Sequence, residues 1–318
     1  MNYKKIVVAG GGVLGSQIAF QSAYCGFDVV ILVREDDNQK TINEKLNTLK
    51  KTYIKTIEQM NKKEDWARGL VGTNNFNYKK CLKNANEARN RILIETNQKE
   101  ALKNADLVIE SITENIEIKT SFYNQIKDLL PNKTVVVTNS STLLPSKLAE
   151  STGRPEKFLS LHFANSIWKN NTAEVMGHEL TKTRYFNEVV EFANAINMIP
   201  LPVRKEKAGY LLNSMLVPFL LSAMDLVANG ISDPESIDKA WTLGTGAPHG
   251  PFEIIDTVGL MTAKNIVEQY QKVPRLVNPL LKKMMLPYNF KGMLEILNKY
   301  IKKGKLGKST KEGFYKYK

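Results

Sequence analysis

Lys4-Lys5-Ile6-Val7-Val8-Ala9-Gly10-Gly11-Gly12-Val13-Leu14-Gly15 is the stretch that decides the fold. Its first half is a short apolar run of strand length. Glycines follow at once, and a helical pattern then runs from Val13 to about Tyr24. Phe27 to Val33 is a second apolar, β-branched run. Strand, glycine turn, helix and strand in this order make a βαβ unit of roughly thirty residues.

The glycines at 10, 12 and 15 fit G-x-G-x-x-G, and each has a task. Gly10 allows the tight turn out of the strand, Gly12 lets the backbone approach a pyrophosphate, and Gly15 lets the helix pack closely on the sheet. Free N–H groups and partial positive charge at the helix start favour phosphate there. Gly10, Gly12, Val13, Leu14 and Gly15 therefore read as a dinucleotide-binding turn. A purely structural glycine turn has the same spacing. The placement between a strand and a helix favours the cofactor.

Outward from this unit, residues 38–63 are helical in pattern, with Ile42, Leu46, Leu49, Tyr53 and Ile57 on one face and lysines on the other. The polar stretch from Trp66 to Asn90 has no clear period. Arg91–Glu95, Ala105–Ser111, Lys133–Thr138 and Phe158–Phe163 read as strands, with a helix from about Ile116 to Leu130. Alternating strands and helices predict a Rossmann-type doubly wound α/β domain. After Pro200 and Pro202 only helical patterns remain, at about 207–229, 233–243, 251–271 and 288–303. The expectation is a Rossmann domain over 1–205 and an all-α domain over 206–318.

Composition narrows the function classes. Apolar and charged residues make up 42% and 24% of the chain, as in soluble globular proteins. The first apolar run is too short for a signal peptide, and Tyr210–Ala228 is broken by Asn213, Pro218 and Asp225. The reading is a cytoplasmic protein with no membrane partner. Two cysteines and three histidines lie in no metal-ligand spacing, so no metal is expected. The net charge of +13 is spread through the chain without an arginine-rich arm, which argues against a nucleic-acid partner. It fits a solvated lysine surface, or a basic patch for a polyanionic substrate.

Reducing a ketone leaves an alkoxide that must be protonated, and the reverse reaction needs a base. Histidine suits both. His162 ends a predicted strand, and Glu174 follows twelve residues later, where the chain can return beside it. A core histidine and a catalytic one both fit that position. Asn139-Ser140-Ser141-Thr142 also ends a strand, and serves equally as a ligand-facing cluster or a helix cap. At the end of the second strand Val33 stands where an acid would accept the adenine ribose hydroxyls. Arg34 follows, and its planar fork suits a 2′-phosphate, so the cofactor reading, NAD or NADP, leans to NADP. A solvated Arg34, or Glu35 serving the ribose, is the competing reading.

Seven segments together resemble the L-3-hydroxyacyl-CoA dehydrogenase family across nearly the whole chain. They are GGGVLGSQIA at 10–19, ADLVIESITENIEIK at 105–119, TNSSTLLP at 138–145, RPEKFLSLHFAN at 154–165, EKAGYLLNSMLVPFL at 206–220, GTGAPHGPFEIIDTVGL at 244–260 and GKLGKSTKEGFYKY at 304–317. The run HFANSIWKNNTAEVMG is similar to a bacterial branch that includes diketoreductase. The resemblance implies His162 as acid/base, Glu174 as its carboxylate partner, Ser141 on the substrate oxygen and Asn213 on the substrate carbonyl. It implies cofactor contacts at Glu114, Lys119 and Asn165, and a homodimer.

Besides the missing ribose acid at Val33, four places depart from the family pattern. Ser166 replaces a proline, Trp168–Ala173 replace an apolar, lysine-bearing run, Ala208 replaces a proline, and Ser309 replaces a lysine beside Lys308. The expected reaction is hydride transfer between NAD(P) and C3 of a short 3-hydroxyacyl-CoA. Keto-ester or diketo reduction, or hydroxy-acid (sugar-acid) oxidation, is the alternative. A non-catalytic crystallin-like protein is more remote, because Ser141, His162, Glu174 and Asn213 are all present. Lys45, Lys50, Lys51 and Lys55 on the long helix meet CoA phosphates in one reading and water in the other.

Overall fold

In the computed structural model, which describes residues 2–73, 75–271 and 288–317, the chain divides into two compact units, Met1–Leu211 and Leu212–Lys318. The first is built on one eight-stranded sheet. Its strands are β1 (Lys5–Ala9), β2 (Asp28–Leu32), β3 (Ile92–Glu95), β4 (Leu107–Glu110), β5 (Val135–Thr138), β6 (Phe158–Phe163), β7 (Thr172–Met176) and β8 (Ile199–Val203). Their order is β3-β2-β1-β4-β5-β6-β7-β8. All neighbours are parallel except β6 and β7, which run antiparallel. The order reverses between β1 and β4. In such sheets the crevice beyond the strand C-termini at that point takes the ligand.

Parallel strands covered on both faces read as continuous apolar runs, and β1, β4 and β5 do so. Successive side chains feed opposite cores: Ile6 and Val8 join one, Val7 the other. The helix α1 (Val13–Tyr24) is buried from Gly15 to Tyr24 without a polar face, because α2 (Gln39–Asn61) and α3 (Tyr78–Ala88) pack over it. Ile42, Leu46, Leu49, Tyr53 and Ile57 of α2 are buried, the face that its periodicity marks.

The polar 66–90 stretch forms α3 and short 3₁₀ turns. Two strands have no sequence counterpart above. β7 is the return that brings Glu174 beside His162. β8 carries Pro200 and Pro202, which an edge strand tolerates because one side of it needs no N–H donors.

The second unit is helical, as its patterns predict. Its described helices are Leu212–Ala228, Pro234–Thr245, Pro251–Val258, Leu260–Gln271 and Phe290–Ile301. The expected 251–271 helix is split at Gly259, whose φ of 95° leaves the helical region. The core of this unit joins Leu221, Met224, Phe252, Ile255, Leu260, Val267, Met293 and Leu297. Asp256 is buried and fastens the C-terminal segment by accepting from the Phe314 and Tyr315 amides and the Tyr317 hydroxyl.

Candidate active site

Parallel strands of the first unit deliver their C-terminal residues to one edge of the sheet. After β1 come Gly10 to Gly12. Gly10 has φ 108°, and a β-carbon there would lie 2.5 Å from the Ser111 carbonyl oxygen after β4. A β-carbon on Gly12 would meet nothing within 4 Å. Gly10 thus serves the turn, and Gly12 leaves the cradle open for a ligand. Gly15 is buried against the Gly10 carbonyl, Leu14 is half-buried, and Val13 is exposed at the helix start. Gly10–Gly12 share a cleft of about 1190 Å³ with Val33, Arg34, Thr41, Lys45, Ser111 and Ile112. The open Gly12, the strained Gly10 turn and the helix start facing the cleft fit a dinucleotide.

Just past β2, Val33 is buried and donates its N–H to the Glu95 carbonyl. Arg34 is exposed and pairs with two neighbouring acids. Its guanidinium lies 3.0 Å from Asp37 Oδ1 and 3.4 Å from Asp36 Oδ1. Burial pushes the Asp37 carboxyl up, but the hydrogen bonds from Arg34 outweigh it and hold the group below its ordinary value. Lys45 donates to the Gly11 carbonyl at 3.1 Å, so this lysine lines the cleft instead of a solvated helix face. Lys50 donates to the Asn86 carbonyl at 3.4 Å.

The chemical centre lies where β5, β6 and β7 meet. Antiparallel pairing puts His162 opposite Glu174 in register, and Asn139-Ser140-Ser141 follow β5, the other neighbour of β6. His162 Nδ1 is 2.9 Å from Glu174 Oε2, and its Nε2 is 3.1 Å from Ser141 Oγ. His162 and Glu174 are 7% and 3% exposed, so their charge interaction is poorly screened by water. An acceptor-only carboxylate selects the tautomer with the proton on Nδ1. Nε2 is then a base directed at Ser141. The Leu211 N–H donates to the second Glu174 oxygen at 2.9 Å, which fixes the carboxylate plane.

A second buried network supports the loops. Glu110, at the end of β4, is fully buried and accepts from Lys119 Nζ (2.5 Å), Tyr123 Oη (2.9 Å), Thr138 Oγ1 (2.8 Å) and the Ile112 amide (2.9 Å). Lys119, on α5 (Ile116–Ile126), is buried with it and lies 3.4 Å from Glu114 Oε2. Glu114 accepts from Ser140 Oγ, Thr142 N and Thr142 Oγ1. Burial raises its carboxyl, but these hydrogen bonds and the Lys119 charge win and hold it below its ordinary value. Glu114 therefore clamps the loop on either side of Ser141. Asn165 is exposed just past β6, and its carbonyl accepts from Asn170.

Sequence reasoning missed Glu110 and Tyr210. The signal for Glu110 was an acid ending an otherwise apolar strand, in ADLVIES. Tyr210 carried no signal beyond its place three residues before Asn213. Asn213 itself lies in the second unit, near the start of its first helix.

Among the described residues there is no group of three His, Cys, Asp or Glu side chains that could hold a metal. No described helix is long and apolar enough to cross a membrane.

Two family descriptions match the chain end to end: the NAD binding domain of 3-hydroxyacyl-CoA dehydrogenase at residues 5–207 and its C-terminal domain at 209–317. The human mitochondrial hydroxyacyl-coenzyme A dehydrogenase is 31% identical, covering 99% of this chain and 91% of that protein. The 3-hydroxybutyryl-CoA dehydrogenase of Clostridioides difficile is 30% identical over 98% and 99% of the two chains. Among solved structures, a diketoreductase described in substrate-directed dual catalysis of dicarbonyl compounds superposes with a TM-score of 0.79. It is 43% identical with full coverage of both chains.

Proposed function

The chain belongs to the 3-hydroxyacyl-CoA dehydrogenase family of oxidoreductases, and from that membership we propose that it interconverts a short 3-hydroxyacyl and 3-ketoacyl substrate with His162 as acid and base. The observation that carries this reading is the Ser141–His162–Glu174 line, with 3.1 Å and 2.9 Å separations at the end of β6. In the oxidative direction Nε2 of His162 takes the proton of the 3-hydroxyl. Ser141 shares that oxygen and orients it. Glu174 stabilises the imidazolium, which a buried histidine without a counter-charge would form at high cost. In reduction the same imidazolium returns its proton to the oxygen on C3. A bound nicotinamide dinucleotide would supply or accept the hydride; Gly10–Gly15 would hold its phosphates, and Lys45 would add charge beside them. Asn213 is assigned the substrate carbonyl from its motif alone.

For the cofactor, the charge around Arg34 favours NAD(H), against the lean drawn from its sequence position. Glu35, Asp36 and Asp37 outnumber the one guanidinium, and a 2′-phosphate dianion would meet their repulsion. The thioester substrate and the free dicarbonyl are separable readings. The second is favoured by the 43% identity to diketoreductase and by the Trp168–Ala173 segment.

The test follows NADH and NADPH absorbance while the protein reduces acetoacetyl-CoA, acetoacetate and a 3,5-diketo ester. NADH-dependent turnover best with acetoacetyl-CoA supports the thioester. Best turnover of the diketo ester moves the protein to the dicarbonyl reading, and NADPH preference overturns the cofactor argument. No turnover of any of the three overturns the reaction class.

A further inference from the structure

Residues 207–211 close the first unit, and the end of this turn touches His162, Glu174 and the residue before Ser141. The Tyr210 ring lies flat on the His162 imidazole, with centroids 4.6 Å apart and planes 14° from parallel. The Tyr210 hydroxyl donates to the Ser140 carbonyl at 2.7 Å, one residue before Ser141. The next amide, Leu211, donates to Glu174. Tyr210 is 1% exposed, and burial, as the largest influence, pushes its phenol far above the usual range, so it stays a neutral donor. Its φ of 51° follows a left-handed Gly209. A bulky residue in that region is uncommon, and such strain persists where the surroundings over-determine it.

We propose that Tyr210 is a positioning residue: its ring holds the imidazole plane of His162 and favours the imidazolium, and its hydroxyl holds the Ser141 loop. This rests on the reading of His162 as the group that moves the proton. A π face attracts a cation more than a neutral ring, and more strongly where water is excluded. Facing the pair are Glu174 from β7, the Ser141 hydroxyl and, beside the Tyr210 phenol, the Ser160 hydroxyl of β6. Glu114 and Glu110 lie further off, with Lys119 neutralising them. Packing alone is the competing role, since Tyr210 also meets Met176, Val203 and Leu144.

The experiment compares wild type, Tyr210→Phe, Tyr210→Leu and His162→Gln in the reductive direction. It uses NADH and the better of acetoacetyl-CoA and a 3,5-diketo ester, with rate–pH profiles and NADH affinity by fluorescence. In this direction the rate is high where His162 is protonated and falls as pH rises. Tyr210→Leu is expected to lower kcat roughly tenfold or more and move the fall to lower pH by roughly half to one unit. KM and NADH affinity stay near wild type. Tyr210→Phe keeps the ring, so its fall stays in place while kcat drops a fewfold.

If Tyr210→Leu does not fold, Tyr210→Phe is compared with pentafluorophenylalanine at the same position, which reverses the ring's charge distribution at nearly the same shape. Unmoved profiles in the folded Leu variant, or in the fluorinated one, overturn the proposal. An active His162→Gln overturns the underlying reading of His162 instead, so the two failures are distinguishable.

Discussion

Ser166 shows how one residue can carry a family departure. Its φ of 59° places it in the left-handed region, where the proline expected by resemblance, locked near −65°, cannot sit. Its amide also donates to Gln17 Oε1 at 2.8 Å, a bond that proline cannot make. Ser166→Pro is therefore expected to destabilise the protein by more than about 1 kcal/mol, read as a lower urea midpoint. An unchanged midpoint would mean that the turn readily adopts a second conformation. At this scale the sequence was informative about chemistry and poor about contacts. His162 and Glu174 were legible as a possible proton-transfer pair from type and spacing, and Ser141 only through the family resemblance. Glu110 and Tyr210 were not, because their value comes from partners far along the chain. Arg34 was read from its place after β2, and its pairing with Asp36 and Asp37 is visible only through the turn that folds them back onto it.

At the scale of elements, strand ends do the positioning, so the clamps that fix them control the site. Asp106 precedes β4 and accepts from the Lys4 and Lys5 amides at 2.8 and 2.9 Å, tying the start of β1 to β4, and it also pairs with Lys133. Burial pushes its carboxyl up, but the Lys133 pairing and the two amides outweigh that and hold it below its ordinary value. A carboxyl depressed in the folded state adds stability above the unfolded value of about 3.9 and loses it as pH falls through the folded one. Urea midpoints should therefore drop between pH 5 and pH 2.5 in wild type. Asp106→Asn should start about 1 kcal/mol lower at pH 7 and lose less on acidification. Equal acid sensitivity in the two proteins would contradict this. The parallel strands were legible as apolar runs bounded by polar ones. β8 was not, because its two prolines suit only an edge, and edge position is a property of the assembled sheet. The antiparallel return of β7 was visible only as the possibility that Glu174 comes back to His162.

At the scale of the molecule, the change from alternating strands and helices to helices alone marked the second unit in the sequence, and the structure divides the chain after Leu211. Oligomeric state is a property that a single chain's pattern does not reveal, because core and interface positions look alike. The homodimer that the family resemblance implies remains our proposal. Sedimentation equilibrium is expected to give twice 35.9 kDa, and a mass of one chain would refute it. The basic surface is equally mute in sequence, yet the structure turns Lys45 from a surface charge into a neighbour of the phosphate turn. In the proposed reaction, His162 is the residue on which proton transfer depends. The direct measurement is NADH oxidation at 340 nm with acetoacetyl-CoA and the 3,5-diketo ester, wild type against His162→Gln, with NADH binding measured on both. The expected result is equal NADH affinity and a loss of ~10²–10⁴ in kcat for the variant. A His162→Gln protein that binds NADH and turns over at near wild-type rate would contradict the assignment of His162 as the acid and base.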